Sequence, residues 1–452
     1  MMPINLSEIG QKVLELAKRH GAEQAEAYVE KSSTVAVYIK DQSIENLTST
    51  ETAGIALRVL NASSMGFGST NSFDDESLTH LVKSTTACAN GSSRDEFNCL
   101  AEPLEPSGAD LDVFDEKVLK VALEDKIKRG LLLESSARAL DERVKRTAYV
   151  VYADGASEVG IFNTLGVAQE FSHSSAHGVS WIAAIDGNMV ESGLCERSST
   201  KYDALDCEAI GREAAARAIT LLGGRQVPSG KMPILLDGIA GAQFLSFFAR
   251  LVSADGVQKG KSMLADKIGE RVAGDLITIY DDGLMVGGVQ TAPVDAVGVP
   301  TRKTAIVENG QLKSFVYDSY CAKRGKTSST GNSKRAGYVS PPAVGTTNFH
   351  MVPGSTKRKD MAAEMGDGIF VSSIRDLFAG IDSATGDFSI PAQGIMFVGG
   401  KAAYPVKSFQ ISGNLFKMLS DVRLIGDEVR WWSGARFGCP DLLISGLYIA
   451  GS

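Results

Sequence analysis

At 452 residues the chain is too long for one ordinary hydrophobic core, so two domains are expected. Hydrophobic residues make up 44% and charged residues 22%, the balance of a globular protein rather than a disordered one. A formal net charge of −8 argues against a dedicated nucleic-acid binder, which needs a cationic face to displace counterions.

Ile9, Val13 and Leu16 recur at helical spacing and Gly21 suits a left-handed terminus, which predicts a helix over 7–20. Val35, Val37 and Ile39 alternate with Thr34, Ala36 and Tyr38 as in a strand. Strands are expected to continue at 53–60 and 65–69, followed by a helix over 74–89 and a Ser-, Pro- and acid-rich loop over 90–112. A helix over about 115–140 then precedes strands at 147–152, 159–163 and 168–185, and the alanine-rich helix 207–222 closes this half. Gly223, Gly224, Pro228 and Gly230 crowd a connector, which places the domain boundary between 1–222 and 223–452.

The second half opens with a strand at 232–236 and with Asp237 as the N-cap of a helix running through Ala254. On that helix Phe244, Phe247, Phe248 and Leu251 share one face. Asn309-Gly310 marks a hairpin turn, Gly399-Gly400 repeats its logic, and 441–450 reads as a buried strand. The expected class is α+β: an N-terminal antiparallel sheet with covering helices, then a strand-rich, mostly antiparallel, barrel-like domain.

The six cysteines (Cys88, Cys99, Cys195, Cys207, Cys321 and Cys439) show no CxxC pair and read as reduced, mostly buried thiols. Charges interrupt the apolar positions of the N-terminal segment, which is unlike a signal peptide, and no span reaches the ~20 residues that cross a bilayer. A cytoplasmic location without membrane contact is expected.

Catalytic motifs are sparse. Gly256–Ser262 ends like a phosphate-binding loop, but its glycines are one residue too close and it follows a helix rather than a strand. His173 and His177 are four apart. In the serine-rich, β-like stretch around them that spacing means roughly 13 Å, beyond shared zinc ligation. No GxSxG elbow is present, Cys439 reads as a buried thiol, Asp281-Asp282-Gly283 reads as a turn, and Lys357-Arg358-Lys359 as solvated loop charges. In contrast, Gly380–Ser389 and the turns after it, through Ser412-Gly413-Asn414, describe tight turns between paired strands with backbone open to a ligand.

Several segments in a fixed order carry a resemblance. They are Asp255–Ser262 (DGVQKGKS), Ser329–Asn332, Thr347-Asn348-Phe349 with Pro353-Gly354, and Met365–Gly368. Thr385–Ser389, Tyr404-Pro405-Val406 and Ser412-Gly413-Asn414 complete the series. The chain resembles the TldD/PmbA family, in particular its PmbA (TldE) branch, once called modulators of DNA gyrase. In that family the TldD subunit is similar to zinc peptidases that use an HExxxH helix, whose glutamate activates metal-bound water. Aligned through DGVQKGKS, that motif falls on residues 245–250, which read LSFFAR, so Leu245, Ser246 and Arg250 replace the metal-site residues.

The resemblance therefore implies a chain with no catalytic residue, metal or cofactor of its own. It would pair with a TldD-like zinc peptidase subunit as a heterodimer, or with itself as a homodimer, and handle extended peptides or unfolded proteins. A homodimeric regulator of the gyrase-modulator type, without hydrolytic activity or direct nucleic-acid contact, is the alternative. Thr347, Asn348, Phe349, Thr385, Gly386, Asp387, Phe388 and Ser389 are the candidates for lining a peptide groove or an interface; the glycines among them serve equally well as turns.

Overall fold

The structure, a computed structural model, describes residues 4–451; residues 1–3 of the N-terminal segment discussed above lie outside them. The first helix forms at Leu6–Arg19, where the Asn5 side chain accepts from the Glu8 amide and Gly21 adopts a φ of +86° just past its end. Six antiparallel strands follow: β1 (Gln24–Lys40), β2 (Ser43–Asn61), β3 (Ser64–Thr70), β4 (Val144–Asn163), β5 (Ala168–Asp186) and β6 (Met189–Ser199). They pair in the order β3-β2-β1-β4-β5-β6.

Odd-numbered residues of β1 face the helices. Ala25, Ala27 and Val29 pack with the helices Leu6–Arg19 and Asp75–Gly91, while Val37 and Ile39 pack with Leu133 and Ala137 of the helix Leu123–Leu140. The helix Cys207–Thr220 joins the second cluster through Ile210, Ala214 and Ala218. On the opposite face Tyr28, Ala56 and Ile161 pack against Val294 and Val297, so the back of this sheet is where the second half docks.

Three elements differ from the sequence expectation. β4 runs unbroken through Ala153–Ser157, which reads as a gap because it is small and polar. The buried Asp154 there is matched by Lys126 of the facing helix at 2.6 Å and by the Tyr152 hydroxyl, also at 2.6 Å. The helix expected over 115–140 is interrupted: Lys117–Lys120 ends at an extended Val121, and Leu123–Leu140 starts afresh. β6 has no counterpart in the sequence reading and pairs β5 across the turn at Gly187.

The second half contains β7 (Gly230–Leu236), β8 (Ile279–Asp282), β9 (Lys303–Glu308), β10 (Gln311–Leu312) and β13 (Asn348–Met351). β14 (Gly368–Ile374), β15 (Asp387–Val398), β16 (Lys401–Asn414), β17 (Val422–Trp432) and β18 (Phe437–Ala450) complete its main sheet, and β11 (Ser333–Lys334) pairs separately with β12 (Ala343–Val344). The hairpins form where the glycines predict them, with positive φ at Asn309 and Gly310 and at Gly399 and Gly400. Ile449 of β18 pairs Ile411 of β16 on one side and Gly230 of β7 on the other. Because β16, β15, β14 and β7 pair in succession, these strands and β18 close into a ring, the barrel-like element expected. Most pairings are antiparallel; β14–β7 and β13–β18 are parallel.

The helix Gly238–Leu251 packs on this ring, its Phe244, Leu245 and Phe248 sharing a core with Ile234, Leu236, Val371 and Ile411. It lies flush against β18 because Gly241 faces Cys439, where an added Cβ would come within 2.6 Å of the sulfur. Cys439 is accordingly a buried thiol. Among the described residues no helix is long and apolar enough to cross a membrane.

Candidate functional site

The helix expected from the resemblance to align with a metal-binding segment is built as core. Asp237 caps its start by accepting from the Ile239 amide at 2.9 Å. Leu245 is 1% exposed, and Ser246 is buried with its hydroxyl donating to the Gln243 carbonyl at 2.7 Å. Arg250, at the exposed end, stacks its guanidinium 4.0 Å from the Phe378 ring centre. A hydrocarbon, a hydroxyl already committed within its helix and a fixed positive charge do not make a zinc donor set. Among the described residues no group of three or more His, Cys, Asp or Glu is placed to hold a metal elsewhere. His173 and His177 both lie along extended β5, His177 Nδ1 sits 2.7 Å from the Ser198 hydroxyl, and burial holds both rings below their ordinary value.

Asp237 anchors a larger ion network. Arg358 donates to Asp237 at 2.9 Å and to Asp441 at 2.5 and 2.8 Å, and Arg217 reaches Asp237 at 3.5 Å. Glu213, from the first half, receives Arg217 at 3.0 Å, Arg197 at 2.6 Å and Arg430 at 2.7 Å. Arg358 is thus a cross-link between β18 and the helix start rather than the solvated loop charge its Lys357-Arg358-Lys359 context predicts; a cationic run says nothing about carboxylates brought in from residues 237 and 441.

Asp281 requires a second correction. Rather than sitting in a turn, Asp281 and Asp282 end β8, and Asp281 is buried. Its carboxylate accepts from Asn332 Nδ2 at 2.6 Å, the Thr347 amide at 2.7 Å and the Thr347 hydroxyl at 3.0 Å. Burial pushes the Asp281 carboxyl up, and these donors pull against it. The resembling segments Ser329–Asn332 and Thr347–Phe349 therefore meet here.

Of the groove candidates, Thr347, Asn348 and Phe349 are buried. Asn348 donates to the Asp282 carbonyl at 2.7 Å and the Thr291 hydroxyl at 2.8 Å, and Phe349 belongs to the core. The second group occupies a tight hairpin at the start of β15. Gly386, at φ +76°, donates to the Asp382 carbonyl, and the Asn414 amide bridges the Thr385 carbonyl and the Asp387 carboxylate. Thr385, Asp387 and Ser389 face outward, whereas Phe388 turns inward onto Phe244, ring centres 5.1 Å apart. The two groups share no hydrogen-bond partner among the described residues.

Two large openings lie between the halves. Clefts of about 1060 and 870 Å³ share Asn98, Cys99 and Ser319 on their walls and form one trench. The Ser-, Pro- and acid-rich loop expected over 90–112 contributes one wall and is pinned across the gap: the Tyr320 hydroxyl donates to Asp95 at 2.8 Å and Lys323 to the Asn98 carbonyl at 3.1 Å. Asp255 and Lys259 of the DGVQKGKS segment, ion-paired at 2.7 Å, line the opposite wall, and Ser329 lies at the other end. Arg58, Asp318 and Ser333 also line this trench, and no local pattern in the sequence distinguishes them.

Comparison with known proteins agrees with this architecture. Models of the PmbA/TldA metallopeptidase match in three consecutive parts: domain 1 over residues 25–89, the central domain over 116–222 and the C-terminal domain over 229–451. The chain is 24% identical over 453 residues to a metalloprotease PmbA homolog of Buchnera aphidicola, covering 99% of this chain and 98% of that protein. In structure it is similar to a candidate modulator of a DNA gyrase from Thermotoga maritima (TM-score 0.89, 25% identity, 99% of this chain and 100% of the other). TldE of Thermococcus kodakarensis shares the fold at a TM-score of 0.91 and 21% identity, over 98% of this chain and 100% of that one. With family matches spread in order along nearly its whole length, the chain belongs to the PmbA/TldD family, on its PmbA (TldE) side.

Proposed function

We propose that this chain is the non-catalytic subunit of a cytoplasmic TldD/TldE-type peptidase complex that processes extended peptides. The observation that carries this reading is the packing of Leu245, Ser246 and Arg250: the helix is retained as core while its exposed end carries a cation instead of metal donors. Such a chain supplies a scaffold and a peptide surface, and a TldD-like partner supplies the zinc and the activated water. An extended peptide can bind such a surface through main-chain hydrogen bonds, with little demand on its sequence.

The test is co-expression with an HExxxH-bearing family member from the same genome, followed by mass measurement of the complex, zinc analysis and a peptide-cleavage assay. The expected result is a mixed complex with zinc following the partner and cleavage by the pair alone. Chelator-sensitive cleavage by this chain on its own would overturn the reading. Recovery of gyrase subunits without any peptidase chain would favour the regulatory alternative.

A further inference from the structure

Beneath the inter-domain trench lies a buried ion cluster with donors left unpartnered. Glu26 of β1 accepts from Arg58 of β2 at 2.6 Å and from Arg335 of the second half at 2.5 Å, so one carboxylate serves two guanidinium groups. Arg58 is 8% exposed and its Nε–H has no partner; Ser333 is 1% exposed and its hydroxyl has none either. Both residues line the 870 Å³ cleft. A buried donor left unpaired is costly, so such groups mark a place where an acceptor belongs.

Three other acids of the cleft, Asp95, Asp255 and Asp318, are already engaged. Asp255 pairs with Lys259, and Asp95 accepts from Tyr320 and from the Phe97 amide. Asp318 caps the helix Ser319–Arg324 by accepting from the Cys321 amide at 2.7 Å; burial pushes its carboxyl up, while the Cys321 donors and the Arg58 charge pull it down. Arg94 and Glu96, also on the walls, add one charge of each sign. What remains without a partner is the Arg58 Nε–H and the Ser333 hydroxyl, two donors of the cleft wall that an oxygen acceptor brought from outside would satisfy.

We propose that the inter-domain trench anchors the carboxylate end of an extended peptide, with Arg58 and Ser333 as the donors that receive it. A planar carboxylate can accept from a guanidinium and a hydroxyl together, and charge-assisted bonds of this kind are the strong ones. The remainder of the peptide would run toward the second opening, whose walls include Leu60, Leu100 and Leu104. This inference rests on the reading of the chain as a peptide-handling subunit and adds to it a preference for a free carboxyl terminus.

The experiment compares fluorescein-labelled tetra-alanine peptides, one ending in a free carboxylate and one amidated, by fluorescence anisotropy with the full chain. The acid form is expected to bind at least about tenfold more tightly, the ratio that one charge-assisted bond supplies. Ser333→Ala should weaken the acid form about three- to tenfold and leave the amide unchanged. Arg58→Lys, which keeps the charge facing Glu26 but loses the Nε donor, should bring the ratio toward one. Equal affinities for acid and amide, or an acid preference that survives both variants, would overturn the anchor while leaving peptide binding in place. Absence of binding by either peptide would overturn it too, and the subunit reading would then stand or fall on the co-expression result alone.

Discussion

Replacing Leu245 with histidine, the residue a zinc-binding relative would carry there, tests whether this helix is core or a lapsed active site. Leu245 is 1% exposed and packs among the aromatic and aliphatic side chains of the strand ring. Losing a fully buried leucine removes about 1.5–3 kcal/mol of burial. Imidazole is of similar size but brings two ring nitrogens into a site where the neighbours offer no partners, adding about 1–3 kcal/mol. The Leu245→His variant should therefore lose about 3–5 kcal/mol, whereas Leu245→Met, which conserves volume, should lose under about 1.5 kcal/mol. Urea unfolding followed by tryptophan fluorescence can read this, since Trp431 and Trp432 lie in the second half and Trp181 in the first. A histidine variant as stable as the methionine variant, or one that acquires stoichiometric zinc, would refute the reasoning.

Arg358→Ala should cost about 3 kcal/mol, because it strands the buried carboxylates of Asp237 and Asp441 together at the start of the helix Gly238–Leu251. The checks are thermal unfolding and faster amide exchange in that helix, and an unchanged midpoint would show that Arg217 alone suffices for Asp237. Acid stability should depend on Glu213: burial pushes its carboxyl up, but Arg430, Arg217 and Arg197 outweigh this and hold it at about 2, below the ordinary 4.5. Because the folded value is the lower one, the stabilisation is present above pH 4.5 and is lost as pH falls toward 2. Glu213→Gln should flatten the stability profile across that interval, as measured by denaturant midpoints at stepped pH.

The elements that could be read in sequence are those set by neighbours along the chain. The amphipathic spacing of Ile9, Val13 and Leu16, the Asp237 cap and the Asn309-Gly310 turn each depend on a few consecutive residues, and the helix and hairpin follow from them. The absence of zinc-donor types at Leu245, Ser246 and Arg250 takes its meaning from the family resemblance, because aligning DGVQKGKS is what sets the HExxxH motif over residues 245–250. Tertiary structure decided what depends on distant partners. Asp154 stays within a continuous β4 because Lys126 arrives from another element, and Asp281 is drawn from an apparent turn into a strand end by Asn332 and Thr347. Arg358 becomes a cross-link only once Asp237 and Asp441 are side by side. The trench itself exists only between the halves, so Arg58 and Ser333 come to line one cleft through packing that no periodicity along the chain can encode.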